Sequence, residues 1–190
     1  MASTVPGPGG PSLSVEPSLS VEPGLSVEPR HDWQIGSLRY FDGAGSMGAN
    51  LRSAVGGSLP GPLAAVRYAS AQAELILAWR SPTETLIMTA DGAVFAAVGS
   101  RAAEDRSVGY LVDQTGGVRA WQLAGARARD VLERIGAAGS IPALGEARTG
   151  RLAELPVLSL SVREGEFVLL VERVYSEHLL AWISETAADI

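Results

Sequence analysis

The sequence predicts an α+β domain, and three observations carry that expectation. Strand-like segments come in pairs joined by short turns. Helical patterns fall between the pairs rather than after every strand, which argues against a doubly wound parallel sheet. About 150 of the 190 residues have the composition of a folded chain, enough to bury an adequate core without staples.

The opening segment holds three tandem hexapeptides, Ser12–Pro17 (SLSVEP), Ser18–Pro23 (SLSVEP) and Gly24–Pro29 (GLSVEP). Proline at every sixth position removes a backbone donor and blocks helix growth. Each repeat offers only Leu and Val to offset the entropy of ordering. Residues 1–32 are therefore expected to be a disordered, dispensable Pro/Gly/Ser-rich tail, and 33–190 a single folded domain beginning at Trp33. Ser37 to Phe41 reads as a short strand and Met47 to Val55 as a short helix closed by Gly56-Gly57. Leu63 to Ala69, Glu74 to Trp79 and Thr85 to Thr89 read as strands, with a turn at Ser81-Pro82, and Ala93 to Ala103 as a helix. Val108 to Val112 and Val118 to Leu123 flank Thr115-Gly116-Gly117, a hairpin-like turn. Ala128, Val131, Leu132 and Ile135 share one face of a helix over 126–135, stopped by Gly136. Pro156 to Val162 and Phe167 to Val171 form a second strand pair across Arg163–Glu166. Ser176 is expected to cap a terminal helix that buries Leu179, Leu180 and Ile183.

Composition narrows the function. With no cysteine, disulfides, thiolate nucleophiles and Cys-ligated metals are excluded. With no lysine, a Schiff base and a P-loop lysine are excluded as well. The net charge of -6 supplies no basic face for a nucleic acid. Arg127, Arg129 and Arg134 alternate with Asp130 and Glu133 at helical i, i+4 spacing, as on a solvated surface. No apolar run approaches the roughly 18 residues of a membrane span, and the N-terminal segment has neither the basic start nor the apolar core of a secretory signal. The expected location is the cytoplasm.

Motifs that could carry chemistry are sparse. Gly43, Gly45 and Gly48 match the dinucleotide-cradling G-x-G-x-x-G, but the flanking strand is short and no acid follows about twenty residues later for a ribose. Ser46 in Ala44–Gly48 resembles a nucleophile elbow, whose base would have to be His178, inside the terminal helix. His31 and His178 are the only histidines. Glu164 and Glu166, like Glu104 and Asp105, fall at turns or helix ends, without metal-ligand spacing. No catalytic, cofactor-binding or metal residue is therefore assigned. Trp79, Trp121 and Trp182 read as core, with an interface anchor as the second reading of Trp182.

The C-terminal half carries a family resemblance. Gly109 to Ile135, with its Asp113-x-Thr115 turn, is similar to the folate-binding module of aminomethyltransferases (glycine-cleavage T-protein). Ala147 to Ser159 (ARTGRLAELPVLS) and Phe167 to Ile183 (FVLLVERVYSEHLLAWI) resemble the gamma subunit of heterotetrameric sarcosine oxidase, and Leu75 to Met88 does so more loosely. Ser81, Thr85 and Gly150 depart from that pattern. The catalytic module carries an acid on a folate-facing strand, whereas here that strand reads Leu155-Pro156-Val157-Leu158. The resemblance implies an aminomethyltransferase-like fold and a non-catalytic accessory gamma subunit, binding no cofactor itself. Its partners would be alpha, beta and delta subunits holding FAD, FMN, NAD and tetrahydrofolate. Such a complex demethylates sarcosine oxidatively to glycine, with hydrogen peroxide and formaldehyde or methylene-tetrahydrofolate as co-products. The alternative is a stand-alone folate-binding or aminomethyltransferase-like module.

Overall fold

A computed structural model describes residues 19–21, 24–41, 48–49, 52, 57–69, 74–104 and 109–190. Their alternating apolar pattern builds two antiparallel sheets packed face to face. The first sheet holds β1 (Leu19–Val21), β2 (Leu25–Pro29), β8 (Val118–Ala124), β11 (Glu166–Glu172), β10 (Leu155–Arg163) and β9 (Glu146–Leu152), in the order β1-β2-β8-β11-β10-β9. The second holds β3 (Gln34–Tyr40), β4 (Ala65–Ala69), β5 (Glu74–Ser81), β6 (Glu84–Thr89) and β7 (Gly109–Asp113), in the order β4-β5-β6-β3-β7. Helix α1 (Gly92–Ala103) covers the outer face of the second sheet. Helices α2 (Ala128–Ile135) and α3 (Ser176–Ala188) cover the outer face of the first.

Period-two alternation sorts the core into three layers. Leu158, Leu160, Val168 and Leu170 point from the first sheet toward Ile35, Ile76, Leu86 and Met88 of the second. Their odd-numbered neighbours Val157, Phe167, Leu169 and Val171 face α2 and α3. Leu75, Leu77 and Ile87 face α1, which buries Val98 and Ala102 against them. Asp91 caps α1, its carboxylate accepting from the Ala93 and Val94 amides at 2.8 and 3.3 Å. The sheets are joined at one corner, where Ala65 and Ala147 donate to Gly145 and Leu63 carbonyls, each at 2.8 Å.

Three sequence-based expectations are corrected. The tail does not run to residue 32: the third repeat is β2, paired with β8, with Leu25 and Val27 only 5% and 0% exposed among the α2 and α3 side chains. Its proline is tolerated because it ends the strand. The expected strand pair around Thr115–Gly117 forms β7 and β8 but not a hairpin, because β7 pairs with β3 and β8 with β11. The turn between them carries the chain from one sheet to the other. Ser176 does not cap α3. Tyr175 occupies that position without a side-chain bond, and the Ser176 hydroxyl instead accepts from the buried Trp121 indole N–H at 3.0 Å. The expected helix over 47–55 lies largely outside the described residues, although 48, 49 and 52 are helical.

The hairpin β9–β10 turns through Ala153 and Glu154, at φ 48° and 63°. A two-residue turn with positive φ at both positions favours Asn-Gly. The left-handed region costs an L-residue roughly 1–2 kcal/mol, while Glu154 gives up only an exposed contact with Arg151. Replacing the pair with Ala153→Asn and Glu154→Gly is expected to raise the unfolding free energy by about 1 kcal/mol, read from urea denaturation.

Candidate functional site

Most of the charged groups singled out in the sequence have structural partners. The Arg127 guanidinium donates to the Ala187 carbonyl at 2.8 Å, closing the end of α3. Arg129 donates to the Pro142 carbonyl at 3.1 Å, lies 5.3 Å from the Phe167 ring centroid and pairs with Glu133 at 3.6 Å. Glu104 pairs with Arg101 at 2.8 Å, and Glu164 is exposed in the β10–β11 turn. His31 lies exposed between β2 and β3, and His178 on the solvent side of α3. Gly43, Gly45, Ser46 and Asp105 lie outside the described residues; Gly48 is buried in a helical stretch. Among the described residues, no group of three or more His, Asp and Glu could hold a metal ion, and no helix is long and apolar enough to cross a membrane.

A chain of polar contacts spans the sheets at the β2 end. Arg30 holds Asp32 at 2.8 Å, donates to Gln122 at 2.7 Å and lies 4.1 Å over the Trp33 ring. Gln122 and Arg163 both donate to Glu166, at 3.1 and 3.2 Å. Arg163 reaches across to Glu74 at 3.1 Å, and Glu74 also pairs with Arg67. Carboxylates and guanidinium groups alternate along it, so each buried stem ends on an opposite charge or an amide. The Arg30 bond to Asp32 holds that carboxyl below its ordinary value. This arrangement neutralises itself and fastens the sheets together; it presents no free acid or base.

The Asp113-x-Thr115 motif has a local role. The Asp113 carboxylate accepts from the Thr115 amide at 2.9 Å, and the Thr115 hydroxyl accepts from the Ile35 amide at 3.0 Å. The motif thus pins the sheet-to-sheet turn against β3. Bonds from the Thr115 side chain and then its backbone hold Asp113 below its ordinary value of 3.8. A carboxyl lowered by folding stabilises the protein above its unfolded value, and that contribution is lost as pH falls through the folded value. Asp113→Asn keeps an acceptor for the Thr115 amide and removes the titration. The fall in stability below about pH 4 is expected to become shallower, as measured by thermal unfolding from neutral to acidic pH.

The space between the sheets is filled with side chains. A cleft of about 100 Å³ between them is lined by Leu86, Val118, Leu158 and Leu170, with Arg80 and Glu172 also in its wall. Small-molecule pockets ordinarily run from about 300 Å³ upward. Strand β10, where the catalytic module would carry its acid, presents Leu158 to this space and Val157 to the helices.

The departures from the resemblance pattern are accommodated by packing. The Thr85 hydroxyl is buried against that of Tyr40 at 2.9 Å. A Cβ on Gly150 would lie 2.1 Å from the Ser140 hydroxyl oxygen, so Gly is required there. Ser81 follows a register shift in β5.

Among the described residues, two outer surfaces stand out as aromatic and exposed. Tyr175, His178 and Trp182 fall at i, i+3 and i+7 along α3 and the turn before it. Trp182 is 45% exposed, its indole N–H on His178 at 3.2 Å, and Val174 beside the stripe is 79% exposed. Trp182 is thus not core, whereas Trp121 is. The second surface lies where β3 ends beside the start of β7 and the β5–β6 turn: Phe41 and Tyr110 line a groove of about 270 Å³ with Arg39, Thr83 and Glu84. The sequence signal for the first was the Trp itself, displaced from the Leu179 and Ile183 positions of the helix.

No protein-family model and no curated protein matches the chain. Solved structures do. A chain of the heterotetrameric sarcosine oxidase from Corynebacterium sp. U-96, determined with pyrrole 2-carboxylate, superposes with a TM-score of 0.74 at 21% identity, over 87% of this chain and 84% of that one. The glycine cleavage system aminomethyltransferase T from Bartonella henselae superposes with a TM-score of 0.66 at 12% identity, over 86% of this chain and 46% of that one. The chain therefore has the α+β fold common to this sarcosine oxidase chain and the aminomethyltransferase, as the resemblance of its C-terminal half implied.

Proposed function

We propose that the chain is a non-catalytic, accessory gamma subunit of a multi-subunit flavoenzyme that oxidatively demethylates sarcosine. The observation that carries this reading is the superposition of nearly the whole chain on nearly the whole of a sarcosine oxidase chain, against less than half of the aminomethyltransferase. Two features support it. The inter-sheet space holds packed aliphatic side chains where a self-sufficient folate module needs a cavity and an acid. The outer surfaces carry exposed aromatic groups of the kind that anchor protein interfaces. In this reading FAD, FMN, NAD and tetrahydrofolate belong to the alpha, beta and delta partners. This chain supplies a rigid docking body, with the Trp182 stripe as one contact face.

The test is affinity purification of the tagged chain from its native host. Co-purification of a flavin-containing partner, with sarcosine-dependent peroxide formation, is expected. A chain recovered alone and colourless overturns the proposal. Folate titration of that isolated chain then decides whether the aminomethyltransferase-like alternative holds.

A further inference from the structure

The outer edge of β8 is filled by a sequence that occurs three times in the chain. Ser12–Pro17 and Ser18–Pro23 are identical, and Gly24–Pro29 differs from them only in its first residue. Both repeats reached by the structure contain strands: Leu25–Pro29 lies on β8, and Leu19–Val21 pairs antiparallel with it. The groups that seat β2 are common to all three repeats. Leu25 and Val27 enter the α2 and α3 core, Ser26 and Glu28 alternate with them, and Pro29 ends the strand. Six is an even number, so sliding by one whole repeat leaves every Leu and Val on the core side, whereas a one-residue slip would turn them outward.

Gly24 is the point of difference. Its φ is +127°, a conformation open to glycine and strained for an L side chain. Its carbonyl accepts from the Arg127 amide at 3.1 Å, and a Cβ there would meet the Arg127 side chain at 3.4 Å. The equivalent residue of the second repeat is Ser18. Glycine thus favours the third repeat at the β8 edge without making the second chemically foreign to it.

We propose that the β8 edge is a binding site for an extended Leu-Ser-Val-Glu-Pro strand, and that the second repeat of the same chain exchanges with the third as its occupant. Gly24 sets the preference between them. In the exchanged form residues 24–29 become a surface loop, while the Arg30 amide keeps its 2.9 Å bond to the Ala120 carbonyl. Lengthening a loop by six residues costs little. The tether also gives the chain's own repeat a local concentration that a second molecule does not reach in dilute solution.

The lack of cysteine makes paired cysteines an unambiguous reporter. Ser26 faces Ala124 across the β2–β8 ladder, and Ser20 faces Ser26 one strand further out. In the full-length chain, Ser26→Cys with Ala124→Cys closes the resident register, and Ser20→Cys with Ala124→Cys closes only the exchanged one. Mild oxidation followed by intact mass and gel mobility is expected to show an intrachain disulfide in both, slower in the second. Adding Gly24→Ser, which makes the repeats identical, is expected to speed closure of the Ser20→Cys pair about tenfold by removing the glycine preference. Three outcomes overturn the proposal. The Ser20→Cys pair stays reduced while the Ser26→Cys pair closes. It closes at a rate that Gly24→Ser leaves unchanged, as fraying of β1 would give. Or it yields only disulfide-linked dimers, which would make the occupant a second copy.

Discussion

Deleting residues 1–29 is expected to lower the unfolding free energy by about 4 kcal/mol, and the melting temperature by roughly 8–16 °C. The deletion withdraws Leu25 and Val27 from a cluster that includes Trp121, Leu123, Val131 and Ile183. Burying one such aliphatic side chain contributes roughly 1.5–3 kcal/mol, and the surfaces it covers are exposed in turn. The backbone of β2 regains its freedom at roughly 1–2 kcal/mol per residue, which offsets part of the loss. The ladder from Ser26–Ala124 to Pro29–Trp121 is also lost, leaving β8 as an open edge liable to pair with other chains. Thermal unfolding of the truncated chain beside the full one measures the effect, and light scattering reports the exposed edge. Equal melting temperatures would return the repeats to the status of a dispensable tail. Leu25→Ala alone is expected to cost less, because the second repeat, with Leu19 intact, can take the vacated edge.

The elements with long apolar runs were legible in the sequence. Leu75–Ala78, Thr85–Thr89, Leu158–Leu160 and Phe167–Val171 are buried on both faces, between a second sheet and a helix, and so read as continuous strands. What failed was information that no local window holds. The repeats carry Leu and Val at a strand's spacing of two, but proline and low apolar content argued for disorder. Only the open edge of β8, contributed about a hundred residues later, supplies the missing partner. The turn at 115–117 has hairpin chemistry, yet the Asp113 and Thr115 bonds aim the next strand into the other sheet. Ser176 sits where a cap is expected, but its hydroxyl is taken by Trp121, 55 positions away in sequence. The exposed face of α3 was half legible: Trp182 stands at the border of the stripe set by Ser176, Leu179, Ile183 and Ala187, where helical spacing alone assigns it to neither face.

Trp182→Ala is expected to weaken association with the proposed flavoenzyme partner at least 30-fold, about 2 kcal/mol, while changing the unfolding free energy of the isolated chain by less than 1 kcal/mol. The asymmetry follows from where the indole lies. At 45% exposure it contributes little packing to the monomer, and its one polar bond, to His178, is itself exposed. Leu179 and Ile183 hold α3 to the sheet and are untouched by the change. In a complex, the same ring together with Tyr175 and Val174 offers a rigid apolar surface that loses little conformational entropy on docking. Titration of the purified partner against wild-type and variant chains separates the two effects. An unchanged affinity would move the interface to the groove at the start of β7, where Tyr110→Ala becomes the corresponding test. A loss of stability equal to the loss of affinity would make Trp182 a packing residue, and the proposed contact face on α3 would fall with it.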